Sequence, residues 1–336
     1  MTTEPYFYIR EDLRKNIKGF DVPVLDENKI FHLWIFRHNE LFDFKPQNIY
    51  EGIYLAKKSF ADVDIYLEFV SFIFQKCYDE NKLDVNAIIC DAFNLAACLN
   101  KLRIFYEINQ QQKLDVRRFV ATEIEYIFIT CRSLFDHLQR ISAHLWENIT
   151  LADKTINKKK IPPTFSFVYR DGRKHTIKEH KDFADYGLPL EWIEFYITSA
   201  NTFRAIQELR EDVIHKGYDI RWIYATERGF GIDSEYEPFK RFNVWKKEYF
   251  INETIAPVRP IICHVIYETF MIMNRFVKML NDVNIQFPPD IAPGYLLFLR
   301  TSNSHLLQKI DEHILHNVWD DEKEIGIVEG NTNSNA

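Results

Sequence analysis

The chain has 336 residues, of which 46% are hydrophobic and 27% charged, and a protein of that size buries about 75% of its unfolded surface, so disorder over most of its length is excluded. Ten glycines are few, and no Gly-rich loop of the Walker or dinucleotide type occurs, which sets aside the common nucleotide-binding α/β enzymes. A formal net charge of −7 gives no global attraction to nucleic acid or anionic lipid, so any basic surface must be local.

The first residues, MTTEPYFYIREDLRKN, carry charges where a secretion signal needs an apolar run, and no uncharged stretch of membrane-spanning length follows. A cytoplasmic protein without a membrane anchor is expected. Residues 1–61 are aromatic and show no clear period, and are expected to form an irregular segment. From there the period becomes helical. Val63, Tyr66, Val70, Ile73 and Cys77 mark a helix over about 62–79, and Val85, Ile88, Ala92, Leu95, Leu99 and Leu102 mark another over 84–111. The clearest helix is 115–149, where Val116, Val120, Ile124, Ile127, Cys131, Leu134, Leu138, Ile141 and Leu145 recur at steps of three and four. In TFSFVYRDGRKHTI, Phe165, Phe167 and Tyr169 alternate and Asp171-Gly172 is a two-residue turn signal, which predicts a small hairpin.

A helix over 189–216 opens on Pro189 and carries Ile193, Ile197, Ala200, Phe203, Ile206, Leu209 and Val213 on one stripe. Residues 218–234 alternate at Ile220, Trp222 and Tyr224 and predict a second ribbon. Residues 253–281 return to the helical period, with Pro257 and Pro260 near the start, where a missing N–H costs least. Residues 282–319 are expected to extend the helical part, and the polar tail 320–336 to be disordered. The fold expected is mainly α: an up-and-down bundle over 62–281 with two small β-hairpin insertions. The five cysteines, Cys77, Cys90, Cys98, Cys131 and Cys263, fall within apolar helical patterns without a C-x-x-C pair and read as reduced core residues.

The stretch LREDVIHKG, residues 209–217, sets Arg210 and His215 five positions apart near a helix end marked by Lys216-Gly217. On a continuous helix such positions lie about 140° apart, a constraint that a helix end relaxes. The spacing Arg-x4-His also occurs at Arg132/His137, Arg170/His175, Arg259/His264 and Arg300/His305. Arg132/His137 sits in mid-helix, where Arg132 can pair with Asp136 at i,i+4, a structural explanation of that match.

CRSLFDHLQR on one long helix, followed one helix later by LREDVIHKG, resembles the HEPN superfamily, helical bundles marked by Arg-x4–6-His, over about residues 84–281. The resemblance implies a metal-independent endoribonuclease needing no cofactor, acting as a homodimer with the two motifs facing each other, and an antitoxin-like or regulatory protein partner. In this chain the residue after the arginine is Glu211, where the family usually has a small polar residue. Cleaving RNA without metal requires activating the 2′-hydroxyl and stabilising a phosphorane. His215 suits the proton transfer, Arg210 supplies the cation, and Asp136 is a candidate to orient either of them.

Lys158, Lys159, Lys160, Arg170, Arg173 and Lys174 concentrate positive charge around Phe165, Phe167 and Tyr169, a combination suited to a phosphate backbone and stacked bases. The rival reading is a non-catalytic helical module that binds RNA or a protein. A di-iron bundle is disfavoured because no glutamate stands three residues before a histidine. His313 and His316 are spaced i,i+3, but no metal site is assigned to them.

Overall fold

A computed structural model describes residues 4–15, 17, 21–150, 157–171, 176–215, 223–235, 237–240, 242–283, 285–301 and 318–321, with the backbone alone at 79, 171, 212–215, 237 and 238. After the short α1 (Glu11–Arg14) come five strands, β1 (Val24–Leu25), β2 (Phe31–Arg37), β3 (Glu40–Phe44), β4 (Gly52–Ala56) and β5 (Ile65–Tyr66). The long helices α2 (Glu68–Gln112) and α3 (Arg117–Asn148) follow. Next are the ribbon β6 (Tyr169–Asp171) and β7 (Thr176–Ile177), the turn α4 (His180–Phe183), and α5 (Leu190–His215). The chain continues through β8 (Tyr224–Thr226), β9 (Gly229–Asp233), α6 (Glu237–Lys240), β10 (Ile255–Pro257), α7 (Val258–Asp282) and β11 (Leu296–Arg300).

The protein is a mixture of helix and sheet, which corrects the expectation of a mainly α, all-helical bundle with two hairpins. The residues read as an irregular N-terminal segment supply four strands, β1 to β4, of a six-stranded sheet of order β3-β2-β1-β4-β11-β5, and β5 takes the opening residues of the helix expected over 62–79. Its sixth strand, β11, comes from the stretch expected to be a helical extension. All its pairs are antiparallel except β1 with β4. Side chains alternate across it: Val24, Trp34, Leu55, Leu297 and Leu299 join the main core with the helices, while Leu25, Phe31, Tyr54, Ala56 and Phe298 form a smaller cluster on the opposite face. Strands covered on both faces read as unbroken apolar runs, so the period of two does not show in the sequence.

The four long helices lie close to their expected places. The two helices expected at 62–79 and 84–111 meet end to end in α2, with a kink between them at Cys77, whose φ of −147° and ψ of 27° leave the helical region. The Asn81 side-chain amide donates to the Cys77 carbonyl at 2.9 Å at this kink. Lys113, left-handed at φ 52°, ends α2 with its N–H on the Asn109 carbonyl, and the chain turns back into α3. α3 buries Val120, Ile124, Ile127, Cys131, Leu134, Leu138 and Ile141 against α2, α5 and α7. The stretch Glu80–Gln112 is long and apolar enough by composition to cross a membrane, and in this fold it packs against α3 and α7.

The first predicted hairpin is present as β6–β7, but Phe165–Val168 forms a 3-10 turn before it, so these rings enter the core instead of alternating along a strand. The second ribbon has three strands, β10-β9-β8. Val318 and Trp319 close over it with Trp319 buried, its indole N–H donating to the Tyr249 carbonyl at 2.9 Å. The predicted disordered tail lies outside the described residues from 322 onward. Four of the five cysteines are buried as expected, whereas Cys90 is exposed.

Candidate functional site

α3 presents polar side chains on two faces. Toward α5, Arg132 and Asp136 form the i,i+4 ion pair read from the sequence, Nη1 to Oδ2 at 2.6 Å. The guanidinium lies over the Phe203 ring of α5, 4.4 Å from its centroid. Asp136 Oδ1 accepts the Phe165 backbone N–H at 3.2 Å. On α5, Arg204 donates to Glu208 at 2.8 Å and Gln207 to Glu211 at 2.8 Å. Burial, together with Glu208, raises the Tyr169 hydroxyl where it meets this cluster.

Among the three residues proposed as catalytic from the sequence, Asp136 thus meets Arg132 and the Phe165 N–H. Arg210 is half-buried on α5. α5 remains helical through His215, so the expected relaxation at the helix end does not occur and positions 210 and 215 lie about 140° apart around the axis. The His215 side chain lies outside the described residues.

The basic insertion is folded onto carboxylates and carbonyls. Lys158 Nζ donates to the carbonyls of Ile149 and Glu147 at 2.6 and 2.9 Å and lies 5.2 Å from the Trp146 ring centroid, so it caps the C-terminal end of α3. Burial lowers its pKa. Lys160 pairs with Glu147 at 3.0 Å and Lys159 lies 3.9 Å from Asp185. Arg170 is held between Asp182 at 2.6 Å and Glu179 at 3.0 Å. Phe165 and Phe167 are buried in the core. Arg173 and Lys174 lie outside the described residues, as do His313 and His316.

A neighbouring face of α3 packs along α2, and charged groups converge in the groove between the two helices. Asp84 Oδ1 accepts from His137 Nδ1 at 2.8 Å and from Arg140 Nε at 2.7 Å. Arg140 Nη2 and His137 Nδ1 also come into contact. Side-chain exposure grades outward from His137 at 15% through Asp84 at 21% to Arg140 at 41%, so the cation reaches solvent while the imidazole is held beneath it. Two turns along α2, Asp91 receives the Ser133 and Asn94 side chains and feels the charge of His137. Its Oδ2 is buried with no hydrogen-bond partner among the described residues.

The two carboxylates are driven in opposite directions. Burial alone would raise Asp84, but the hydrogen bonds and charges of His137 and Arg140 outweigh it and hold the group below the usual carboxylate range. At Asp91 burial prevails over His137, Ser133 and Asn94 and raises the group. Carboxyls whose environments separate their proton affinities beside an imidazole form the arrangement from which acid and base roles are built.

This groove is absent from the residues selected by sequence. The stripe was nonetheless readable: Ser133, His137 and Arg140 stand at i, i+4 and i+7, and Asp84 and Asp91 at i and i+7, each set on one helix face. Treating Arg132 and His137 as one motif hid it, because positions five apart face different neighbours. Among the described residues no three His, Cys, Asp or Glu side chains converge as a metal-ligand set. Comparison of the chain with family models, with curated proteins and with solved structures finds no match.

Proposed function

We propose that this chain is a metal-independent endoribonuclease whose chemistry takes place in the α2–α3 groove. The observation that carries the reading is the shared hydrogen bonding of His137 and Arg140 to Asp84 Oδ1, at 2.8 and 2.7 Å. In the tautomer that places the ring proton on Nδ1 toward Asp84, Nε2 is the free nitrogen and the imidazole serves as a base. Arg140 turns its charge toward solvent beside it, where a phosphodiester can be met by a fixed cation. Asp84 is the positioning residue for both.

RNA suits this set because its own 2′-hydroxyl is the nucleophile. The protein then has to supply only a base, a cation and a proton donor. His137 takes the 2′-hydroxyl proton, the 2′-oxygen attacks phosphorus, Arg140 balances the charge that grows on the non-bridging oxygens, and a 2′,3′-cyclic phosphate and a 5′-hydroxyl end result. The test is a single-stranded RNA carrying one 2′-deoxy position, incubated in excess chelator. Cleavage is expected at every susceptible linkage except that one, and equal cutting at the deoxy position, or no cutting of RNA at all, contradicts the proposal.

A homodimer remains the assembly proposed for the Arg210/His215 motif. α5 sets the two positions on different faces of a single helix, so a second copy is the way to bring one arginine opposite another histidine. Light scattering at micromolar concentration tests it. A monomer contradicts it.

A further inference from the structure

We propose that Asp91 is the proton donor to the departing 5′-oxygen, the acid that completes the pair begun by His137; this rests on the reading of the groove as a ribonuclease site. Three observations place it there. The side chain stands on the α2 face that carries Asp84, two turns farther along. The charge of His137 acts on it, and Ser133 and Asn94 hold one side of the carboxyl. Its Oδ2 is buried and meets no hydrogen-bond partner among the described residues. An ionised carboxylate oxygen left without a donor in such a place is costly, whereas a protonated one is not, and burial does raise the group.

Charged and titratable groups come to it from both helices, and among them the Cys131 thiol of α3, buried and itself raised, lies within reach of the Asp91 charge. Asp84 comes from α2, and His137 and Arg140 come from α3. Asp84 takes up Arg140 and the His137 ring directly, which leaves Asp91 with His137 only at longer range and the neutral Ser133 and Asn94. Of the two carboxyls in the groove, Asp91 is therefore the one that keeps a proton to give.

The step balances. The 2′-hydroxyl proton passes to His137 Nε2 and the 2′-oxygen forms its bond to phosphorus. The bond from phosphorus to the 5′-oxygen breaks, and the Asp91 proton moves to that oxygen. The enzyme is left with a charged imidazole and an ionised Asp91, and exchange with water restores both.

A change of leaving group separates this role from a structural one. Cleavage of an RNA linkage, whose alkoxide must be protonated, is expected to fall about 10²-fold or more in Asp91→Asn, while a uridine 3′-aryl phosphodiester, whose aryl oxide leaves without a proton, changes by less than about threefold. His137→Gln is expected to slow both esters. Equal losses on the two esters in Asp91→Asn, or none on either, overturn the assignment of Asp91. If the wild type turns over neither ester, it is the ribonuclease reading that fails.

Proton holding is then still read without turnover. The carboxyl ¹³C resonance of Asp91, identified by its loss in Asp91→Asn, is expected to titrate above the ordinary carboxylate range and to shift again as His137 titrates. The second step should vanish in His137→Gln. An ordinary titration, or a profile that His137→Gln leaves unchanged, overturns the proposal.

Discussion

Asp84 on α2 and His137 on α3 are joined by a 2.8 Å hydrogen bond from Nδ1 to Oδ1, and the same oxygen takes the Arg140 guanidinium at 2.7 Å. One carboxylate thereby fixes both the ring orientation and the cation. Its folded pKa is depressed, so its contribution to stability is present above the unfolded Asp value and disappears as pH falls through the folded one. Asp84→Asn is expected to cost about 1–3 kcal/mol at neutral pH. Urea titrations of wild type and variant should converge as pH drops below about 4. A gap that stays constant into strong acid contradicts the role given to Asp84.

Arg300 and Asp64 pin β11 to the loop before β5. Asp64 is fully buried, Arg300 Nε lies 3.2 Å from its Oδ1, and its Oδ2 accepts the Tyr54 hydroxyl at 2.6 Å. Removing one side of a buried pair leaves the other charge uncompensated, so Asp64→Ala is expected to destabilise by about 3–5 kcal/mol. Thermal unfolding measures it, and a loss under about 1 kcal/mol contradicts the buried pair.

These contacts show where the sequence was legible and where it was not. α3, α5 and α7 were readable because one apolar stripe at steps of three and four suffices to place a helix. β4 and β11 were not. Leu297 pairs with Leu55 across more than two hundred residues, and with apolar neighbours on both faces neither strand shows the alternation that reveals a half-buried one. The site failed in a different way. Arg132–Asp136 is a contact within one helix, for which spacing is enough, but Asp84 reaches His137 only because α2 turns back on α3 at Lys113, and no local pattern states which residues then stand opposite.

Lys158 should matter for stability and not for RNA. It caps α3 through the carbonyls of Glu147 and Ile149 and covers the Trp146 ring. Lys158→Met keeps most of the aliphatic packing and loses these hydrogen bonds, at a cost of about 1–2 kcal/mol. Fluorescence-detected unfolding reads the loss. RNA affinity and its salt dependence are expected to stay unchanged, and a reduced salt slope would restore the insertion as a phosphate-tracking surface.

Gly229 holds the turn between β8 and β9 at φ +138°, and a Cβ there would run into the Asp320 side chain, whose Oδ2 accepts the Phe230 N–H at 3.0 Å. Gly229→Ala is therefore expected to displace the segment Val318–Asp321 and to cost about 1–3 kcal/mol or more. Trp319, now buried, should become more accessible to an aqueous quencher. Unchanged quenching contradicts the packing of that segment on the ribbon.

The central claim is that His137 carries the proton and Arg140 the charge in a metal-free cleavage of RNA, and parallel time courses on single-stranded RNA and on the same sequence as DNA, both in excess chelator, test it most directly. Wild type is expected to cut only the RNA and to leave cyclic phosphate ends. His137→Gln and Arg140→Gln should each lose about 10²-fold or more in rate while unfolding cooperatively like the wild type. RNA cleavage that persists undiminished in a folded His137→Gln variant would contradict the account.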